Sequence, residues 1–589
     1  MSDHHGHTHS HPHSHPHSHS HTHPHAHEVD PVTRAAADAS ASDKDLTPRE
    51  LSRRRLLRAA GVTGAVTVGF SGMLGVTPAM ADEAGRGRGQ DGHGHGGRGV
   101  RHWLAGDHHI HTQYSSDGQY TVMDQARHAA AYGLDWLVIT DHGGATHARL
   151  GVDLVNPDIR AARAELKDTL IFQGLEWNIP AAEHGTVFVA PGKNEVEVLK
   201  QFENDYDGSV RNARDNTPQN EALAVAGIQW LGRQKDRRRV EDALFLANHP
   251  ARNGIDSPHE VRAWRDADPR IAVGWEGAPG HQAAGIRAGY GPGDARGGYG
   301  NSAGPSSFPG YPPESYRSWG GFDFYTATVG GLWDSLLAEG KAWSISANSD
   351  SHRNWGDTSR RPNGSDSARF DRDGRYGDPV YAGQVNLELG DFWPGMYSRT
   401  HVGASARGYT AVMRGIREGR IWVDHGNLVK NLDVRLVASG RGRGEETLGG
   451  TLTAKRGSRL ELVVTVTAQD VPNWGMFLPR LNRVDLIRGA VDPAHADSDH
   501  DKLTAPDTRV VVQTDTSGRT GTFTLRHDLG VLEEAFYVRL RGTDGNRQQP
   551  GYLGPRIDPA GPAIDVVGDA DPWLDLWFYT NPIWVLPVR

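Results

Sequence analysis

An α/β barrel followed by a β-sandwich is the fold this sequence predicts, and three observations predict it. Short apolar runs alternate with stretches of helical spacing through the middle of the chain; histidines and carboxylates recur where those runs end; and past Asp424 the pattern turns to short alternating strands. Repeated alternation of strand and helix favours a parallel sheet. Polar residues gathered at one rim of several strands favour a closed barrel over an open sheet, which concentrates its site at one crevice.

The spacing predicts a helix over Val122 to Tyr132, then a strand at DWLVIT (Asp135 to Thr140). Pro258 to Ala267 reads as a helix before the strand RIAVGWEG. The residues that carry chemistry are His109 and His111 in DHHIHT, Asp117 in SSDG, His142 in VITDHG, Glu176 in FQGLEW, His184 in EHG, His249 in FLANHP, and Asp350 and His352 in SDSH. A single histidine after a strand is ordinarily a hydrogen-bonded core or surface residue. HxH and DxH say more, because residues i and i+2 of an extended segment point to the same side. His109, His142, Glu176, His249 and Asp350 each follow or sit within an apolar run, which predicts that they gather at the carboxyl ends of parallel strands.

Nine such ligands suit two or three divalent ions. Zinc, manganese and iron accept imidazole nitrogen and carboxylate oxygen at about 2.0–2.2 Å. A carboxylate can bridge two ions, and ions roughly 3.5–4 Å apart can hold a substrate oxygen while a shared water becomes hydroxide near neutral pH. This donor set predicts a metal-dependent hydrolase in which attack by that hydroxide needs no side-chain nucleophile. His249, Asp350 and His352 are the candidates to pass a proton to the leaving group, and the choice of general acid stays open.

DHHIHT, SSDG, TDH, GLE, a later His, NHP and SDSH, in that order, resemble the polymerase and histidinol phosphatase (PHP) superfamily over roughly Arg101 to Asp424. The resemblance implies a distorted seven-stranded (β/α) barrel with two or three metal ions in its mouth. Carried over residue by residue, it implies that His109, His111, Glu176 and Asp350 hold one ion. Glu176 would bridge to a second, held by His184 and His249, and Asp117, His142 and His352 would hold a third. The context of His184, EHGTVFV, is loose, and Glu183 or His281 are alternatives for its place. GLWDSLLAEGKAWSISANSDSH, GDFWPGMYSRTHV and AVMRGIREGRIWVDHG are similar to a bacterial branch that includes proteins named for hydrolysis of carbaryl and other carbamates. In that branch the barrel is followed by a β-rich domain ending in a phrase like WFYTNPIWV. Two chemistries are thereby implied, phosphoester hydrolysis and carboxyl or carbamate ester hydrolysis.

Arginines near the ligands favour the first. Arg252 lies three residues beyond His249, and Arg353, Arg360 and Arg361 follow His352. A phosphate ester needs donors for its non-bridging oxygens, and a carbamate pocket has less use for them. A rival of another class is a secreted metal-binding protein without turnover, which would show loose stoichiometry; nine ligands spread over a barrel exceed what buffering needs.

At 589 residues, 37% of them hydrophobic, the chain is long enough for two or three domains with a sizeable core. It has no cysteine, which excludes disulfides and thiolate ligands. Residues 1–51 form a region, His-rich through residue 27, too polar for a core and able to bind cations loosely, and they are expected to be disordered. Residues 52–81 read as a twin-arginine signal peptide: SRRRLLRAAG supplies the pair Arg53 and Arg54, a weakly hydrophobic stretch follows, and Ala79 and Ala81 offer a cleavage site after Ala81. That stretch holds too many Gly and Thr for a stable membrane anchor. The expected partners are therefore the twin-arginine translocase during export and a small ester substrate, with the mature protein periplasmic or extracellular. Residues 82–100 are a Gly- and His-rich linker, 101–427 the barrel and 428–589 the β-sandwich.

Charge argues against a nucleic-acid partner. Residues 1–81 hold seven acidic and seven basic residues, so the mature chain keeps the whole net charge of −9, and no basic stripe appears. In the β-rich part, LELVVTVT puts Leu460, Leu462, Val464 and Val466 on one face, and RVDLIRG, RVVVQTD, GTFTLRH, AFYVRLRG and DLWFYTNPIWV follow as further strands. The aromatic ending, Trp573 to Trp584, is expected in the core or at a domain interface. Gly280 to Trp319 is a long Gly-, Pro- and Tyr-rich segment with little periodicity, expected to cover the site.

Overall fold

Val, Ile, Leu and aromatic residues crowd the runs predicted as strands, and such side chains suit a pleated surface buried on both faces. A computed structural model describes residues 100–283, 296, 299, 302–354, 358–359, 367–381, 391–441, 443–546, 558, 561–563 and 571–588. The His-rich region, the stretch read as a signal peptide, Arg360, Arg361 and much of the segment after Ala283 lie outside the described residues. The apolar runs form β1 (His102–Asp107), β2 (Trp136–Ile139), β3 (Leu170–Asn178), β4 (His184–Val189), β5 (Ala243–Ala247), β6 (Ala272–Ala278) and β7 (Ser344–Ala347), side by side in chain order.

β1, β2 and β3 are parallel, as are β5, β6 and β7, but β4 runs antiparallel to both neighbours. This corrects the expectation of parallel strands throughout. Only five residues, Ile179–Glu183, separate β3 from β4, whereas a parallel crossover needs about a dozen or more. The reversal has a positional consequence. His184 opens β4, so an antiparallel strand delivers it to the rim where the other strands end.

The helices cover the outside of the barrel. Val122–Ala131 starts at a capping box in which Thr121 and Asp124 satisfy each other's backbone N–H groups, and Ser257 and Glu260 do the same for Pro258–Ala267. Val152–Glu165 buries Val155, Ile159 and Ala162, spaced at helical intervals along one face. β1 pairs on its other side with Ser398–Ala404, which in turn pairs with Ile421–His425. At β7 closure uses side chains. Thr400 Oγ1 accepts the Ala347 N–H at 2.8 Å and donates to the Ala347 carbonyl at 2.6 Å, and Asn581 Oδ1 accepts the Ile345 N–H at 2.9 Å. At the ligand rim a parallel bridge between Ile110 and Ser351 joins the segments that follow β1 and β7.

The C-terminal region is a sandwich of mostly antiparallel strands. One sheet comprises Gly444–Thr447, Val429–Ser439, Arg459–Ala468 and Thr522–Val531. Its inward residues Leu460, Leu462, Val464 and Val466 share a buried core with Val484, Leu486, Val538 and Leu540 of the other sheet. That other sheet is continuous with the barrel, because Trp422–Asp424 pair with Phe578–Thr580. Trp573, Trp577 and Trp584 are buried.

The two bodies also meet through a buried ion pair. Arg539 donates from Nε and Nη2 to the two oxygens of Asp334 at 2.9 and 2.7 Å, Tyr537 and the Gly330 N–H complete the carboxylate's shell, and both charged side chains are fully buried. Arg539→Ala strands that carboxylate without its partner, and urea denaturation is expected to show a loss of about 3–5 kcal/mol; a loss below about 1 kcal/mol would mean that Tyr537 and Gly330 suffice. A second constraint lies where β6 hands over to the following segment. A Cβ on Gly280 would stand 1.9 Å from the Ser349 carbonyl oxygen and 2.7 Å from the Asp350 nitrogen. Gly280→Ala is expected to force that backbone apart at a cost of about 1–3 kcal/mol, seen as a lower melting temperature, and an unchanged melting temperature would contradict the close approach.

Candidate metal centre

Each strand end places its ligand through a local device. Asp107, the last residue of β1, accepts the His109 N–H at 3.0 Å and the Ser349 N–H at 2.9 Å, which ties the segments bearing His109 and Asp350 together. Burial raises its carboxyl to about 7, against those hydrogen bonds. Asp141 accepts the N–H and hydroxyl of Thr112, fixing the turn after His111 next to His142. His249 and Asp350 take left-handed backbone conformations, φ 30° and 49°, which cost energy for residues other than glycine and collect at functional sites.

Glu176 lies within β3, and imidazoles surround it. Its Oε1 stands 3.2 Å from His109 Nε2, 3.0 Å from His184 Nδ1 and 3.2 Å from His249 Nε2. Its Oε2 stands 2.6 Å from His142 Nδ1 and 3.5 Å from His111 Nε2. Burial opposes its charge, but His184, His109 and His142 hold the carboxyl well below the usual range. Asp350 Oδ1 is 3.1 Å from the Nε2 atoms of both His109 and His111. Asp117 Oδ2 is 2.9 Å from His142 Nε2 and 3.4 Å from His352 Nε2. All nine side chains singled out in the sequence therefore meet in one place.

Proton positions follow from the outer partners. His109 Nδ1 lies 2.7 Å from Glu276 Oε1, which can only accept when ionised, so the proton sits on Nδ1 and Nε2 presents a lone pair. Ser115 Oγ donates to Asp117 Oδ1, so at 3.0 Å from His111 Nδ1 it accepts, and His111 Nε2 is also bare. The two bare Nε2 atoms stand 3.0 Å apart. Glu176 Oε2, Asp350 Oδ1 and His249 Nδ1 are buried without a hydrogen bond.

Asn248 Nδ2 reaches His109 Nε2 at 3.4 Å, and converging lone pairs with so few donors among them are what a divalent cation satisfies. Donor atoms sharing an ion at about 2.1 Å are themselves about 3.0–3.4 Å apart, close to the separations found here. The residues therefore fit the ions expected from the sequence, with nitrogen and oxygen donors throughout. Without an ion a proton takes its place: burial works against it, yet Asp350, Glu176 and Glu276 raise His109 well above its ordinary range.

Several groupings come close enough to share an ion: His111, Asp117, His142 and His352; His109, His111 and Asp350; His142, Glu176 and His184; Glu183, His184 and His249; and His281, Asp350 and His352. Glu183 and His281 thus stand beside the nine, as the loose context of His184 left open. Arg252 is half-exposed with Nη1 3.5 Å from Glu183, and Arg353 is exposed.

Sequence reasoning missed four contributors. Glu276 in β6 holds His109, and Asn248 Nδ2 donates to Glu176 Oε1 at 3.2 Å. Asp391 accepts the backbone N–H groups of His352 and Arg353. The Tyr299 hydroxyl donates to Asp350 Oδ2 at 2.6 Å. A charged residue inside the apolar run AVGWEG was the signal for Glu276; Asp391 and Tyr299 had none. Tyr299 and His281 bring the long segment after β6 to the centre, stacked on each other with ring centroids 5.2 Å apart.

No curated protein matches the chain. Among solved structures, a crystal structure of a two-domain protein containing a predicted PHP-like metal-dependent phosphoesterase from Bacteroides vulgatus ATCC 8482 is similar at 12% identity and a TM-score of 0.28, covering 81% of this chain and 98% of that one. The family model described as PHP domain matches residues 107–222. Residues 107–222 are therefore similar to a PHP domain, and the matched segment holds His109, His111, Asp117, His142, Glu176 and His184.

Proposed function

We propose that the chain is a metal-dependent hydrolase of small phosphate mono- or diesters. The observation that carries the reading is the convergence of imidazole nitrogens and buried carboxylate oxygens at one rim of the barrel, where His109 Nε2 and His111 Nε2 stand 3.0 Å apart and Asp350 Oδ1 is buried without a hydrogen bond. Two or three ions of zinc, manganese or iron would be held by His109, His111, Glu176 and Asp350, by Glu176, His184 and His249, and by Asp117, His142 and His352. Such ions supply a Lewis acid for the ester oxygen and lower the pKa of water enough to furnish the nucleophile.

The chain's own groups do the rest. Glu176, with imidazoles on both oxygens, keeps the ligand groups in one cluster. His249, Asp350 and His352 are the candidates to pass a proton to the leaving group, and the choice among them stays open. Arg252 and Arg353, exposed enough to reach a substrate, are available to the non-bridging oxygens of a phosphate. They also favour phosphate over the carbamate reading.

Twin-arginine export with cleavage after Ala81 accompanies this reading and rests on SRRRLLRAAG and the Ala79–Ala81 pair. Among the described residues no helix is long and apolar enough to cross a membrane. The net charge of −9 supports a small substrate over nucleic acid.

The test is turnover of the manganese- or zinc-loaded protein, beginning at Asp82, on nitrophenyl phosphate, bis-nitrophenyl phosphate and a nitrophenyl carbamate. Phosphate turnover that falls to the metal-free background in His111→Ala is expected. Carbamate turnover alone would move the chain to carbamate ester hydrolysis, and uptake of ions with no turnover on any substrate would leave a metal-binding protein.

A further inference from the structure

Glu276 is a buried carboxylate of the centre that belongs to none of the three ligand sets. It sits in β6, fully buried, and touches ligand-bearing segments on both sides. Oε1 takes the proton of His109 Nδ1 at 2.7 Å, and Oε2 takes the backbone N–H of His249 at 2.6 Å. His109 follows β1 and His249 follows β5, so one side chain joins three strands of the barrel at its rim.

The two contacts do different things. At His109 the carboxylate selects the tautomer, because an acceptor-only partner on Nδ1 leaves Nε2 without a proton. That Nε2 points at His111 Nε2, Asp350 Oδ1 and Glu176 Oε1, 3.0, 3.1 and 3.2 Å away. At His249 the carboxylate holds a backbone that would otherwise leave its left-handed conformation, φ 30°. The ring so placed lies with Nε2 3.2 Å from Glu176 Oε1.

We infer that Glu276 is a positioning residue on which the uptake of two ions depends, one through the tautomer of His109 and the other through the backbone of His249. The inference rests on the metal-centre reading above. It makes Glu276 neither a ligand nor a group in contact with substrate.

The two donors facing Glu276 give the test its resolution. A peptide N–H cannot change its role, whereas an imidazole can exchange tautomers. In Glu276→Gln the amide oxygen therefore stays on His249 and the amide NH2 faces His109, which must release the Nδ1 proton and carry it on Nε2, where an ion would bind. Glu276→Ala removes both contacts. Ion-free protein is prepared with a chelator, and zinc is titrated against a competing chromophoric chelator, with native mass spectrometry counting the ions retained by each protein.

Glu276→Gln is expected to weaken one ion by about 10–100-fold while the melting temperature of the ion-free protein stays at the wild-type value. Glu276→Ala is expected to weaken two. Wild-type uptake by the Gln variant would overturn the inference, as would a Gln variant whose ion-free form melts early yet binds zinc normally, since that is the signature of a purely structural role. Loss of a single ion in the Ala variant would overturn the dual role of Glu276. A wild-type protein that takes up no zinc or manganese would instead overturn the metal centre itself.

Discussion

Burying Glu176 together with five imidazoles is the constraint from which the barrel's departures from regularity follow. A carboxylate in an apolar interior is costly unless every lone pair is met. Those of Glu176 are met through a cation or a proton held between it and side chains from the ends of β1, β2 and β5 and from the start of β4. Reversing β4 is what brings His184 to that rim, and the short β3–β4 link makes the reversal unavoidable. The left-handed residues, His249 and Asp350, stand at the same rim. Strain there is tolerable because Glu276, Asp107 and Asp391 hold the adjoining backbone N–H groups.

The β-sandwich takes part in the same architecture. β7 has a strand on one side only, and its other edge is met by Thr400 and by Asn581 from the chain's closing phrase. A strand edge with unmet N–H and C=O groups invites pairing with other chains. The closing phrase therefore covers an edge of the barrel as well as completing the sandwich sheet, and Arg539 with Asp334 fixes the second sheet against the helix Leu332–Ala338. The barrel and the sandwich share strands, a core boundary and charges, so unfolding one exposes an edge of the other.

How much of this was legible in the sequence depended on whether the information was local. The helices Val122–Ala131 and Pro258–Ala267 and the face of Leu460, Leu462, Val464 and Val466 follow from periodicity within a few residues, and they stand where periodicity put them. Five of the nine side chains were readable because a polar residue at the end of an apolar run is an anomaly that only tertiary structure resolves, and His111, Asp117, His184 and His352 were readable from the order of motifs. Glu276 carried the same anomaly, but its partners lie 27 and 167 residues away, and nothing near AVGWEG names them. Ser398–Ala404 and Ile421–His425 also depend on distant partners, since the second of these pairs with a strand more than a hundred residues later.

The ion-free centre is poorly matched to itself, and that bears on how the protein reaches its working state. Lone pairs of His109, His111 and Asp350 face one another, and only a proton or a cation relieves them. Because the ligands come from strands separated by most of the barrel, an unfolded chain cannot assemble them, and ion binding is then coupled to folding. Protons and metal ions compete for the same lone pairs, so the balance between them shifts with pH and with ion supply.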